Sequence, residues 1–119
     1  VMPQVITIGG FFRKSLLRVN FDKNIVEVSE NGGKSWSSRF TSPNCGTFRD
    51  LLLYKGNVFL CTSKGLYIST NDGKSFSPRY NNSSTGEFLS LQDNGKELLA
   101  ITTKGLFWST NEGKTWARR

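Results

Sequence analysis

Ser69-Thr70-Asn71-Asp72-Gly73-Lys74-Ser75-Phe76 occurs three times in the chain, with the same chemistry at the same places. Its copies are Ser29-Glu30-Asn31-Gly32-Gly33-Lys34-Ser35-Trp36 and Ser109-Thr110-Asn111-Glu112-Gly113-Lys114-Thr115-Trp116, each 40 residues from the next. A fixed period of this size means one supersecondary unit copied in series. The octet itself has the chemistry of a turn. The Asn side chain can fold back onto backbone two residues on, and Gly at the fifth position takes a left-handed conformation at no steric cost. Ser or Thr then restarts a strand, and Trp or Phe covers the turn with apolar surface.

This octet resembles the Asp-box, or BNR repeat, of sialidases and related β-propellers, whose pattern is Ser/Thr-x-Asp-x-Gly-x-Thr/Ser-Trp/Phe. The matching residues are Ser29, Asn31, Gly33 and Trp36; Ser69, Asn71, Gly73 and Phe76; and Ser109, Asn111, Gly113 and Trp116. Asn replaces the acid in every copy, which keeps the turn-forming acceptor and loses the charge. The boxes therefore read as structural, without a metal or acid role. In that family the box lies between the third and fourth strands of a blade and marks the fold.

Outward from the boxes, the second and third units align without a gap. Val58-Phe59-Leu60-Cys61-Thr62 matches Leu98-Leu99-Ala100-Ile101-Thr102, and Lys64-Gly65-Leu66-Tyr67-Ile68 matches Lys104-Gly105-Leu106-Phe107-Trp108. Each unit reads as four short strands separated by turn signals. In the middle unit these are 48–54, 57–62, 66–70 and 75–80. In the divergent first unit they are 6–14, 16–21, 25–29 and 35–40, with Gly9-Gly10 marking a bulge and Asp22-Lys23-Asn24 as the second turn. The last strand of the third unit is expected to be short. The expectation is an all-β fold with almost no helix, one Asp-box module over 1–119 with blades at about 6–40, 46–80 and 86–119.

Propellers typically close with about 4–8 blades, so three leave the ring open. Two copies of the chain would give six, the number in the sialidase ring, in a closed homodimer. The alternatives are that the missing blades come from a partner or from a longer chain.

Composition narrows the function classes. The chain of 119 residues has 36% apolar and 13% aromatic residues, enough for a core, and no apolar run long enough to insert in a membrane as a helix. There is no His, which removes the usual general base, the usual triad and the commonest metal ligand. No cofactor is expected. Cys61 aligns with Ile101 and reads as a buried small hydrophobe, while Cys45 sits in a Pro/Asn/Gly loop; they need not form a disulfide, and the compartment stays open. The net charge of +7 suits an acidic partner, though Lys34, Lys74 and Lys114 are repeat chemistry on solvated turns. No basic stripe with interleaved aromatics points to nucleic acid.

The resemblance implies that the ligand face carries the turns between second and third strands and the loops leading to the next blade. Mapped here, these are Ser63-Lys64 and Thr103-Lys104 with the loops 41–47 and 81–87. Candidate binding residues are Arg39, Arg49, Lys64, Arg79, Tyr80, Asn81 and Lys104, because guanidinium and ammonium groups beside an aromatic suit a carboxylate, sulfate or phosphate on a sugar. Arg49 is equally read as pairing with a neighbouring acid, and Tyr80 as sealing its blade. The arginine trio, activated tyrosine and aspartate of a sialidase are not recognisable, so catalysis is not expected. The reading is a non-catalytic module recognising an anionic saccharide or another acidic surface. Its alternatives are a fragment of a sialidase-like glycoside hydrolase and a structural decoration or adhesion domain at a virion or cell surface.

Overall fold

The computed structural model describes residues 4–9 and 14–119. The repeat is visible at once in the topology: three separate four-stranded antiparallel sheets, each made of strands consecutive in the chain. The first holds β1 (Ile6–Gly9), β2 (Lys14–Asn20), β3 (Ile25–Ser29) and β4 (Ser37–Phe40). The second holds β5 (Phe48–Tyr54), β6 (Asn57–Thr62), β7 (Gly65–Ser69) and β8 (Ser77–Tyr80). The third holds β9 (Phe88–Asp93), β10 (Leu98–Thr102), β11 (Gly105–Ser109) and β12 (Ala117–Arg118). The fold is all-β with three propeller-type blades; the one helical segment among the described residues is a single 3-10 turn at Pro43–Cys45.

The middle blade's first two strands fall at the bounds expected from sequence. The fourth strands start two residues later than expected, at Ser37 and Ser77, because the box turn extends through its Ser and aromatic positions. The first blade departs most. β1 ends at Gly9 and β2 already begins at Lys14, so the predicted strand 6–14 is two strands; Gly10, half of the expected Gly9-Gly10 bulge, lies outside the described residues. Its second turn carries extra residues, which slides β2 along the repeat. Leu17 pairs with Val28 as Phe59 pairs with Ile68 and Leu99 with Trp108.

The first three strands of the middle blade are largely buried because a blade stacks against each of its faces. One core joins Leu17, Val19, Val26 and Val28 of the first blade to Phe48, Leu51, Val58 and Leu60 of the second. The other joins Phe59, Cys61, Leu66 and Ile68 of the second to Phe88, Leu91, Leu98 and Ala100 of the third. Burying a large aliphatic side chain stabilises by about 1.5–3 kcal/mol, so these two seams hold the blades in series. Aromatics at fourth-strand ends close them. Phe40 sits 4.8 Å from Phe76 across the first seam, and Tyr80 meets Phe88 edge-on at 6.2 Å across the second.

Candidate functional site

The box turns are built alike in all three blades. In the first, the Ser29 hydroxyl donates to Asn31 Oδ1 at 2.9 Å and accepts from the Gly33 amide at 2.8 Å. Asn31 Oδ1 also accepts from the Ser35 amide at 3.0 Å, and its Nδ2 donates to Ser35 Oγ at 2.7 Å. Asn71 and Asn111 repeat these bonds with Ser75 and Thr115. Asn thus supplies a donor that a carboxylate lacks, and the box is a closed hydrogen-bond knot with structural duty. The backbone partner lies four residues on, not two. Two successive left-handed residues, such as Asp72 at φ 63° and Gly73 at φ 83°, turn the chain back on itself before Ser75 arrives. Trp36 and Trp116 add an indole bond to the carbonyls of Gly33 and Gly113, at 3.2 and 2.9 Å.

Two of the candidate arginines serve the next box. Arg39 donates from Nε and Nη2 to the Asp72 carbonyl at 3.2 and 3.1 Å, and Arg79 Nε donates to the Glu112 carbonyl at 3.0 Å. One period apart in sequence, they latch each blade to its successor.

At the opposite turns the structure does bring the expected loops together. Thr47 and Ser63 exchange bonds, as do Glu87 and Thr103, so each second-to-third turn is tied to the loop that enters its own blade. Gly46 and Gly86 permit this approach, since a Cβ there would stand 2.4 Å from Ser63 Oγ or Thr103 Oγ1. Lys104 Nζ donates to the Ser83 carbonyl at 2.8 Å. Tyr80 packs on Phe88 and meets Thr85 Oγ1 at 3.3 Å, which seals its blade. Lys64 and Asn81 are exposed.

Arg49 stands apart from these. In β5 the register runs from Phe48 opposite Thr62 to Asp50 opposite Cys61, so Arg49 is the extra residue of a bulge. The bulge re-aims its side chain into a cleft of about 570 Å³ lined by residues of all three blades. The cleft is walled by Gln4, Ser90 and Gln92 and by the exposed rings and chains of Phe21 and Ile101. Arg49 Nη2 pairs with Glu87 at 2.9 Å, and both side chains keep 29% and 44% of their exposure.

Asp50, beside it, is buried and saturated. Its Oδ1 accepts from the amides of Gln4 and Leu51, its Oδ2 from Gln4 Nε2 and the Leu91 amide. One carboxylate therefore ties all three blades together. Nothing in the repeated octets signals this role for Asp50. The missed signal lay in Gln4, which the register, not the octet, aligns with Asp50 and Ser90.

Cys45 and Cys61 are both buried as free thiols. No protein-family model and no curated protein sequence matches this chain. The fold and the repeated junctions define it as a three-bladed module of propeller type.

Proposed function

We propose that the chain is a non-catalytic binding module of Asp-box type that takes an anionic group, such as the carboxylate or sulfate of an acidic saccharide, in the cleft beside Arg49. The observation that carries this reading is the bulge at Arg49. It turns a guanidinium into a cleft where its only ion-pair partner among the described residues is a half-exposed Glu87. A pair so exposed is worth about 0–1 kcal/mol, so an arriving carboxylate or sulfate can replace Glu87 at little cost. Gln4, Ser90 and Gln92 offer neutral partners for hydroxyls, and Phe21 offers a face for the apolar side of a sugar ring. The net charge of +7 favours encounter with acidic ligands.

The test is calorimetric titration with sialylated and sulfated oligosaccharides. Binding to the native chain should fall at least ~10-fold in Arg49→Ala, as loss of a charge-assisted pair requires, and rise in Glu87→Gln. No heat with any acidic saccharide would end the proposal.

A second reading, a purely structural module, is favoured by a specific observation. Arg39, Arg79 and Lys104 are all engaged with backbone carbonyls of the protein itself. Under that reading the titration is silent.

A further inference from the structure

The trailing face that the first two blades bury is open on the third. Phe59, Cys61 and Leu66 are 0–1% exposed against the third blade, and Leu17, Val19 and Val26 are 0–4% exposed against the second. Their counterparts Ile101 and Leu106 are 51% and 40% exposed. Leu99 and Trp108 share that face with them.

The leading face of the first blade is open in the complementary way. The register places Val5 where Leu51 and Leu91 stand, and Val5 is 56% exposed while those two are at most 1%. Box glycines tell the same story. A Cβ on Gly73 would meet Leu17 Cδ1 at 2.9 Å, and one on Gly113 would meet Leu66 Cδ2 at 3.0 Å, both from the preceding blade. Gly33 has only its own blade's Leu16 and Trp36 near, each at 3.8 Å.

The latch repeats the pattern. Arg119 stands 40 residues after Arg79 as Arg79 does after Arg39, and Gly32 stands where Asp72 and Glu112 present their carbonyls. Among the described residues no guanidinium reaches the Gly32 carbonyl. Arg119 instead lies over Trp108 of its own blade, 5.2 Å from the ring centre, and pairs with Glu97.

The geometry points to a third junction of the same kind, made between copies: the trailing face of blade three docks on the leading face of blade one of a second copy, with Arg119 latched to the Gly32 carbonyl and Leu99 and Leu106 pressed on Gly33. Both halves of the missing junction lie on one chain, and each half copies a half already joined twice within it. Three blades cannot close on themselves, whereas two copies related by a twofold axis make both contacts at once and leave no open face. The polar part of the leading face does not oppose burial. Arg18 is paired with Glu27 at 3.0 Å and stacks 4.0 Å over Trp36, and Asn20 holds the other Glu27 oxygen at 3.1 Å, so this pair needs no new partner when covered. The inference does not depend on any ligand.

Sedimentation equilibrium of the native chain and two variants tests it. The native chain is expected at twice 13.3 kDa. Leu106→Asp and Arg119→Ala, both on exposed side chains, should each raise the dimer dissociation constant, the first at least ~30-fold as a central contact would. Leu53→Asp, at an exposed leucine off this face, should leave it unchanged. Circular dichroism checks that each variant is folded, and Ile101→Lys replaces Leu106→Asp if that one is not. A monomer at millimolar concentration, an assembly that grows beyond two copies, or a dimer indifferent to Leu106→Asp and Ile101→Lys would overturn the proposal.

Discussion

Arg79 Nε donates to the Glu112 carbonyl at 3.0 Å while its guanidinium carbon stands 5.9 Å from the centre of the Phe59 ring. One side chain therefore covers the apolar face of its own blade and fastens the box of the next. Arg79→Ala should lower stability by about 1 kcal/mol, the ordinary worth of such a bond, without the loss of acidic-saccharide binding expected of Arg49→Ala. Arg39→Ala, at a more exposed latch, should cost less. Urea unfolding with an unchanged slope checks both.

The box knot predicts different outcomes for two substitutions at one position. Asn71→Ala removes the acceptor of the Ser69 hydroxyl and the Ser75 amide and the donor to Ser75 Oγ. A loss of about 1–3 kcal/mol is expected. Asn71→Asp keeps both acceptor bonds, and the Ser75 hydroxyl can turn to donate, so it should cost less than about 1 kcal/mol. Thermal unfolding of the pair at neutral pH decides this.

Gly73 and Gly33 hold similar positive φ angles, 83° and 93°, and differ in what surrounds them. Alanine is strained at both, but only at Gly73 does its methyl meet a neighbouring blade, at 2.9 Å from Leu17. Gly73→Ala should therefore be more destabilising than Gly33→Ala by about 1–3 kcal/mol, the usual cost of overpacking. Denaturation at concentrations low enough to keep the chain monomeric makes the comparison.

Burial, with the Asp50 charge adding to it, pushes the Cys61 thiol well above its usual range. In the unfolded chain a thiol loses its proton near pH ~8.5. Above that pH the unfolded state holds fewer protons than the folded one, so stability falls as pH rises toward the folded value. The slope should approach ~1.4 kcal/mol per pH unit from this one group. Unfolding free energies from pH 8 upward should fall more steeply for the native chain than for Cys61→Ala. The folded thiol should resist alkylation at neutral pH.

Much of this architecture was legible because the repeat is spelled in local chemistry. The octets state the turns, and the gapless match between second and third units states their strands. What composition could not reveal is where a side chain ends up once blades stack. Arg39 and Arg79 look like ligand arginines in one dimension, and in space each also donates to a carbonyl of the next box, one blade away. Cys61 and Ile101 align, yet one is buried and the other 51% exposed, since only the first has a blade in front of it. The first blade was hardest to bound because its longer second turn shifts β2 against the period.

The most direct test is a crystal structure of the purified chain, read at one contact. The account predicts the Arg119 guanidinium about 3 Å from the Gly32 carbonyl of a second copy, with Leu106 covered. Arg119 still lying on Trp108 and Glu97, with Leu106 in solvent, would contradict it.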